Sequence, residues 1–133
     1  MLQHHEHHAE CKPRLAEVLE GKSRGVMSAH GFAEAFSVLT RAPWVPPIQP
    51  HEAWSMLDRM IVPYFELVHL DGAEHKSLIW RCGVRKVAGG RVYDAVHLAC
   101  AEKAGAELIL TKNLRDFRAL AWSDELRDKI ETP

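Results

Sequence analysis

Short apolar runs alternate along this chain with longer segments whose apolar residues repeat at helical spacing. The runs at 25–28, 66–70 and 107–111 are bounded by turn residues or polar residues, which is typical of buried strands. Helical spacing is found at about 8–20, 29–41, 50–62, 72–86 and 91–104, and a short helix is predicted after 112. Residues 120–123 are a candidate for a last short strand. This alternation predicts a parallel sheet covered by helices, and therefore an α/β fold.

The length of the chain and its proline-rich stretch both bear on domain organisation. Four of the seven prolines lie at 43–50, which predicts an extended loop too short to link two domains. A chain of 133 residues has enough material for one hydrophobic core and not for two. We therefore expect a single domain over 1–133.

The charge balance and the cysteines exclude several classes of protein. Lys and Arg number 17 against 18 Asp and Glu, so no global basic excess indicates nucleic acid or an anionic membrane, and any polyanion must be bound locally. No apolar run approaches the roughly 18 residues of a membrane span, so we expect no membrane partner. Cys11, Cys82 and Cys100 are an odd number without C-x-x-C spacing, which favours a cytoplasmic protein with Cys82 and Cys100 in its core.

Acidic residues fall near the carboxyl ends of the predicted strands, where ligands bind in parallel sheets. Glu34 and Asp94 each interrupt an apolar segment, and Asn113 and Asp116 follow the third strand. Burying an unpaired carboxylate costs several kcal/mol, and a divalent cation is one partner that offsets this cost. For each residue alone, a plainer interpretation stays open: Asp94 would stabilise a helix N-terminus, and Glu34 would form a buried ion pair.

Three blocks of the sequence resemble, in order and spacing, the signature blocks of PIN-domain ribonucleases. They are SAHGFAEAFSVLTR at 28–41, GRVYDAVHLA at 90–99 and LTKNLRDF at 110–117. Within that family the chain is most similar to the VapC-type toxins of toxin–antitoxin modules. Three blocks in register are far more specific than any one of them.

The resemblance implies a three-layer α/β/α fold with a small parallel sheet and an acidic cleft that binds Mg²⁺ or Mn²⁺. It implies a ribonuclease that hydrolyses RNA phosphodiester bonds and is neutralised by a cognate antitoxin. Glu34, Asp94 and Asp116 match the catalytic acids, and these three residues with Asn113 match the metal ligands. Ser28 and Thr111 match supporting positions at strand ends. Hard carboxylate oxygens suit the octahedral shell of Mg²⁺, so no histidine or cysteine ligand is required.

The amino end departs from the pattern of the family, which begins with a central strand ending in an Asp. Here 1–3 lead directly into the first predicted helix, and no counterpart of that Asp is found. We therefore expect an amino-terminally truncated domain in which strands 25–28 and 107–111 lose the strand between them. A start site assigned too late, gene decay and real adaptation are three explanations. The first would make this 133-residue chain an inactive version of an active nuclease.

Two further clusters have alternative interpretations. His4, His5, His7 and His8 with Glu6, Glu10 and Cys11 would bind Zn²⁺ or Ni²⁺ adventitiously, or would simply be solvated. Residues 75–93 contain no acid and carry most of a local basic excess. We interpret this excess as a phosphate-binding flank, the alternative being a solvated helix face over Trp80. The predicted RNA-binding residues are Arg81, Arg85, Lys86, Arg91, Lys112 and Arg115.

Three functions follow from these observations. The first is a metal-dependent endoribonuclease toxin. The second is a catalytically impaired relative that binds antitoxin or RNA without cleaving it. The third, a nucleotide-binding α/β domain, is weaker because the sequence has no glycine-rich phosphate loop. The apolar stripes at 54–61 and 78–82 fit a homodimer interface or an antitoxin groove, and they fit core burial equally well.

Overall fold

A computed structural model of the chain describes residues 16–133. A helical turn at 16–19 precedes a series of alternating strands and helices. The strands are β1 (Gly25–Ser28), β2 (Phe65–Val68), β3 (Ile109–Leu110) and β4 (Ile130–Glu131). The helices are α1 (Ala29–Arg41), α2 (Pro50–Met60), α3 (Gly72–Val84), α4 (Arg91–Lys103), α5 (Leu114–Leu120) and α6 (Asp124–Asp128). The predicted α/β class is confirmed.

The strands form two separate parallel pairs in the described part of the chain. β1 pairs with β2, with Gly25 opposite Phe65 and Ser28 opposite Val68, and β3 pairs with β4. A groove of about 680 Å³ is lined by residues of both β1 and β3, and one wall is formed by α4. Within residues 16–133, no strand occupies this groove to join the two pairs into one sheet.

Helix α4 packs against both halves of the molecule. It contacts β1 and β2 on one side, and it also contacts α1, α3 and α5. Its residues Ala95 and Cys100 belong to one buried cluster with Val68 and Leu78, whereas Leu98, fully buried, belongs to a second cluster around Leu120, Ala121, Leu126 and Ile130. A helix buried on most of its circumference matches the apolar wrapping of its sequence.

Two local features explain how strand β1 and helix α3 begin. Gly25 starts β1 where a Cβ atom would lie 2.7 Å from a Val18 methyl and 2.8 Å from the Phe65 ring, so only glycine fits without displacement. Helix α3 begins with a capping box: the Asp71 carboxylate accepts the Glu74 N–H at 2.8 Å, and the Glu74 carboxylate accepts the Asp71 N–H at 2.9 Å.

The structure differs from the sequence-based predictions in several elements. The third strand is two residues long, and 120–123 is not a strand, because Leu120 ends α5 and the Ser123 side chain caps α6. The last strand is β4, which pairs with β3. Helix α1 has no fully buried residue, and Trp54 in α2 is exposed while Ala53 and Leu57 are buried.

Other predictions concern the cysteines, the amino end and membrane spans. Cys82 and Cys100 are free thiols buried in the core, as predicted, and burial raises the pKa of Cys100. Cys11, the histidine cluster at 4–8 and most of the helix predicted at 8–20 lie outside the described residues. None of the described helices has the length and apolar character to cross a membrane.

We expect the capping carboxylate of Glu74 to make the stability of the fold depend on pH. The Asp71 N–H, and then Lys103 at 2.6 Å, hold the pKa of Glu74 below its usual range. A carboxylate whose pKa is lower in the folded state stabilises the fold above its unfolded-state pKa of about 4.3 and loses this effect as pH falls through the folded-state value. Glu74→Gln should therefore lower the free energy of unfolding at neutral pH and have little effect in acid.

Urea unfolding followed by circular dichroism, from neutral pH to about pH 3, measures this difference. Glu107→Gln is the matched control, since the exposed Glu107 carboxylate has no hydrogen bond or ion pair within residues 16–133. A difference between wild type and Glu74→Gln that stays constant over the whole pH range would contradict the prediction.

Candidate functional site

The junction of β1 with α1 places a buried hydroxyl against a histidine of α4. Ser28, the last residue of β1, is the N-cap of α1, and its Oγ accepts the Gly31 N–H at 2.9 Å. The same Oγ lies 2.6 Å from Nδ1 of His97. A strand-end serine is a favoured N-cap because it satisfies a backbone donor that the helix leaves unpaired. The helix cap therefore also orients the imidazole of His97.

Glu34 lies between two histidines. Its Oε1 atom is 2.8 Å from Nε2 of His30, one turn earlier on α1, and 3.1 Å from Nε2 of His97. One ligand atom from each of the three side chains lies within 4.8 Å of the others. The ring of His30 stacks on Tyr93, with centroids 4.7 Å apart and planes 5° from parallel. We call His30, Glu34 and His97 the His–Glu–His cluster.

The premise that Glu34 is buried was wrong. Its side chain is 52% exposed, so it forms neither a buried ion pair nor a desolvated carboxylate. Glu34 is exposed because α1 is only partly buried. Phe32 and Phe36 are half-buried, and Glu34 lies on the polar face of the helix, toward solvent. His30 and His97, by contrast, are 35% and 26% exposed.

The surroundings of Asp94 shift the pKa of its carboxyl group. It lies in the first turn of α4, where its burial raises the pKa of the carboxyl group. His97 and Arg91 act in the opposite direction, whereas the negative charges of Glu34 and Asp116 raise the pKa further. Acids from α1, α4 and α5 are therefore close enough to repel one another, although Asp94 and Asp116 lie outside the His–Glu–His cluster.

The residues after β3 form a second hydrogen-bonded group. The Asn113 N–H donates to Oγ1 of Thr111 at 3.0 Å, and the Asn113 side-chain amide donates to Oδ2 of Asp116 at 2.9 Å. Asn113 and Asp116 are both exposed. The amide donor holds the Asp116 carboxylate in one orientation and leaves the Asn113 carbonyl oxygen available to a cation.

The predicted RNA-binding residues have different surroundings. The guanidinium of Arg81 lies 4.4 Å from the Trp122 ring centroid, and Arg85 donates to the carbonyl oxygens of Leu120 at 2.7 Å and Ala119 at 3.4 Å. These contacts join α3 to the end of α5 and to Trp122 in the segment that follows it. The other four are exposed: Lys86, Arg91, Lys112 and Arg115. All six residues stay predicted RNA contacts.

Sequence reasoning missed His30, His97 and Gly31. The signal for His30 was its position four residues before Glu34, which places both side chains on one face of α1. Nothing local indicated that His97 would meet them, because that contact joins two helices distant in sequence. Gly31 leaves room for the contact, since a Cβ there would lie 3.0 Å from Ser28 Oγ and 3.4 Å from the His97 ring and would crowd both.

Comparison with known proteins identifies the family to which the chain is related. The family model of the PIN domain matches residues 1–123. The chain is 33% identical over 110 residues to the protein named Ribonuclease VapC40 in two strains of Mycobacterium tuberculosis, CDC 1551 / Oshkosh and ATCC 25618 / H37Rv. These alignments cover 82% of this chain and 78% of each relative. No solved structure matches the chain significantly.

We expect Ser28→Ala to destabilise the fold more than an ordinary surface substitution. It removes both the cap of α1 and the hydroxyl beside His97, and loss of an N-cap costs about 1 kcal/mol of the free energy of unfolding, with a range of roughly 0.5–2. Urea unfolding measures the change. Ser37→Ala is the control, because this exposed serine lies on the same helix and should change stability by less than about 0.5 kcal/mol. Equal effects of the two substitutions would contradict the assignment.

Proposed function

The chain belongs to the PIN-domain family, and we propose that it is a metal-dependent endoribonuclease toxin neutralised by a cognate antitoxin. The relatives are named ribonucleases, which supports RNA cleavage, and the VapC-type resemblance supports the toxin–antitoxin context. The proposal places the protein in the cytoplasm, where its RNA substrate is found. The predicted three-layer α/β/α fold is the fold of this family.

One observation of the structure supports the catalytic part of the proposal. Glu34, Asp94 and Asp116 come from three different helices, and the pKa of Asp94 is raised first by burial and then by the charges of Glu34 and Asp116. Acids that repel one another at one end of the molecule cost folding energy unless something positive offsets them. Perturbed carboxyl groups of this kind are typical of functional sites.

The donor atoms of the four predicted ligands suit Mg²⁺ or Mn²⁺. Glu34, Asp94 and Asp116 offer carboxylate oxygens, and Asn113 offers a carbonyl oxygen, which are the hard ligands that these cations prefer. We propose that these four residues hold the ion. When bound, such an ion lowers the pKa of a coordinated water and offsets negative charge on a phosphodiester under attack.

The other residues of the chain would prepare the site for hydrolysis, in which water attacks phosphorus and one ester P–O bond breaks. The Asn113 amide orients Asp116, and Thr111 fixes the backbone of Asn113. Ser28 fixes the ring of His97 beside Glu34. Lys112 and Arg115 flank Asn113 and would attract the phosphates on either side of the scissile bond.

A partner surface is available for the antitoxin. Helix α3 exposes the large apolar side chains of Ile79, Trp80 and Val84 outside the stripe of its buried residues Leu78 and Cys82. Trp80 is 71% exposed, and Arg81 lies over Trp122 rather than over Trp80. Because exposed apolar residues on one helix face are typical of protein interfaces, we propose this face for the antitoxin; a homodimer is the alternative occupant.

We expect Asp94→Asn to abolish Mg²⁺-dependent RNA cleavage. The amide keeps the shape of the side chain and removes the charge that would hold the cation, so the cleavage rate should fall by at least about 100-fold. Cleavage of a fluorescent single-stranded RNA, with Mg²⁺ and with a chelator, measures the effect. Asp58→Asn is the matched control, because Asp58 is exposed on α2 and distant in sequence from the proposed ligands.

An unchanged rate in Asp94→Asn would contradict the role of this acid. A wild-type chain that binds RNA or antitoxin without cleaving RNA would instead support the second interpretation, a catalytically impaired relative. Circular dichroism of both variants would show that each is folded.

We expect RNA binding to weaken steeply with salt through the exposed basic residues. Each phosphate contact to single-stranded nucleic acid contributes about −0.7 to the slope of log K against log salt concentration. Removing two contacts in Lys112→Ala/Arg115→Ala should therefore make the slope shallower by about 1.4. Fluorescence anisotropy between about 50 and 200 mM salt measures this slope.

Arg41→Ala/Arg59→Ala is the matched control for charge. Arg41 lies at the opposite end of α1 from Ser28, roughly 18 Å along the helix axis, and Arg59 lies near the end of α2. Equal slopes for the two double variants would place the phosphate contacts elsewhere.

A further inference from the structure

We propose that the His–Glu–His cluster is a binding site for a first-row transition-metal ion of the Zn²⁺ class. This site is different from the all-oxygen site proposed above, although both use Glu34. Two of its three donors are imidazole nitrogens, from His30 and His97. Metal binding can be measured without RNA, so the proposal stands or fails independently of the ribonuclease function.

The spacing of the three donor atoms fits one small cation. In a tetrahedral site with bonds of about 2.0–2.1 Å, neighbouring ligand atoms lie roughly 3.3 Å apart. Oε1 of Glu34 already lies 2.8 Å from Nε2 of His30 and 3.1 Å from Nε2 of His97. A bound ion would move Oε1 of Glu34 away from each of these two nitrogens by roughly half an ångström or less. The ligand atoms of all three side chains already lie within 4.8 Å of one another.

The helices supply these donors from fixed positions. His30 and Glu34 are four residues apart on α1 and therefore lie on the same face of the helix, and His97 faces them from α4. The stacking of His30 on Tyr93 restricts rotation of its ring. Two ligands from one helical turn and a third from a neighbouring element form a preorganised site.

Ser28 provides the outer hydrogen bond that metal-bound histidines typically have. A neutral imidazole that binds metal through Nε2 carries its proton on Nδ1, and that N–H needs an acceptor. Oγ of Ser28 lies 2.6 Å from Nδ1 of His97 and also accepts the Gly31 N–H, which together use its two lone pairs. The cap of α1 can therefore stabilise the tautomer of His97 that leaves Nε2 free to bind a cation.

The donor set selects the class of cation. Imidazole suits Zn²⁺, Cu²⁺, Ni²⁺ and iron, whereas Mg²⁺ prefers oxygen ligands in a strict octahedron. All three side chains are partly exposed, so water can occupy the remaining coordination positions. Three protein ligands with an open position are typical of zinc sites that exchange a bound water.

Co²⁺ titration tests the proposal, because Co²⁺ gives visible absorption bands when bound by nitrogen and oxygen ligands. The full chain is used with His4, His5, His7 and His8 changed to Ala, since the histidines near the amino end would bind metal themselves. We expect one Co²⁺ per chain. We expect Zn²⁺ to displace it and Mg²⁺ at about 100-fold excess to leave it bound.

Single variants in that background assign the ligands. His97→Ala and His30→Ala should each weaken Co²⁺ binding by about 100-fold or more, and Ser28→Ala by roughly 10- to 100-fold, the range for an outer-sphere residue. His51→Ala is the matched control, because His51 is an exposed histidine of α2 and should leave binding unchanged. Circular dichroism confirms that each variant is folded.

Three results would overturn the proposal: no Co²⁺ bound by the chain without the four histidines, binding that survives both His30→Ala and His97→Ala, or displacement of Co²⁺ by an equal concentration of Mg²⁺. Failure of RNA cleavage would bear only on the ribonuclease proposal, and failure of Co²⁺ binding only on this one.

Discussion

The burial of helix α4 is the constraint on which the rest of the structure depends. The described residues form two parallel strand pairs that share no hydrogen-bonded strand, so backbone pairing does not hold the two halves together. Hydrophobic packing does so instead: Ala95 and Cys100 of α4 pack in one cluster and Leu98 in the other. Burying such side chains contributes roughly 1.5–3 kcal/mol for each large one, which makes α4 the common wall of both cores.

The same helix fixes the candidate site. Because the buried residues of α4 pack in the two cores, Asp94 and His97 lie on its side that faces α1. Ser28 caps the N-terminus of α1. Asp94 responds to the charges of Glu34 and Asp116, and His97 bonds to both Ser28 and Glu34. The positions of Asp94 and His97 therefore follow from helix packing, whereas Asn113 and Asp116 are oriented by hydrogen bonds in the segment after β3.

Sequence patterns predicted a strand or helix well where the residues of that element alone determine it. The bounds of β1 and α1 agree with the structure, and the three blocks identified the family. The sequence patterns failed where a tertiary contact decides the outcome. Strand β4 forms because it pairs with β3, and Glu34 is exposed because α1 is only half-buried. The histidines beside Glu34 were missed for the same reason, since His97 and His30 are 67 residues apart and meet only after the helices pack.

Glu34 is shared by two donor sets that cannot both use it fully. Toward Asp94 and Asp116 it would complete the proposed oxygen site for a hard cation, and toward His30 and His97 it would complete the proposed nitrogen-rich site for a softer one. Because the charges of Glu34 and Asp116 raise the pKa of Asp94, any cation at either site relieves some of the same repulsion. Two ions would then compete for one half-exposed carboxylate. The ion that binds Glu34 therefore decides whether this carboxylate is available to the acids of α4 and α5.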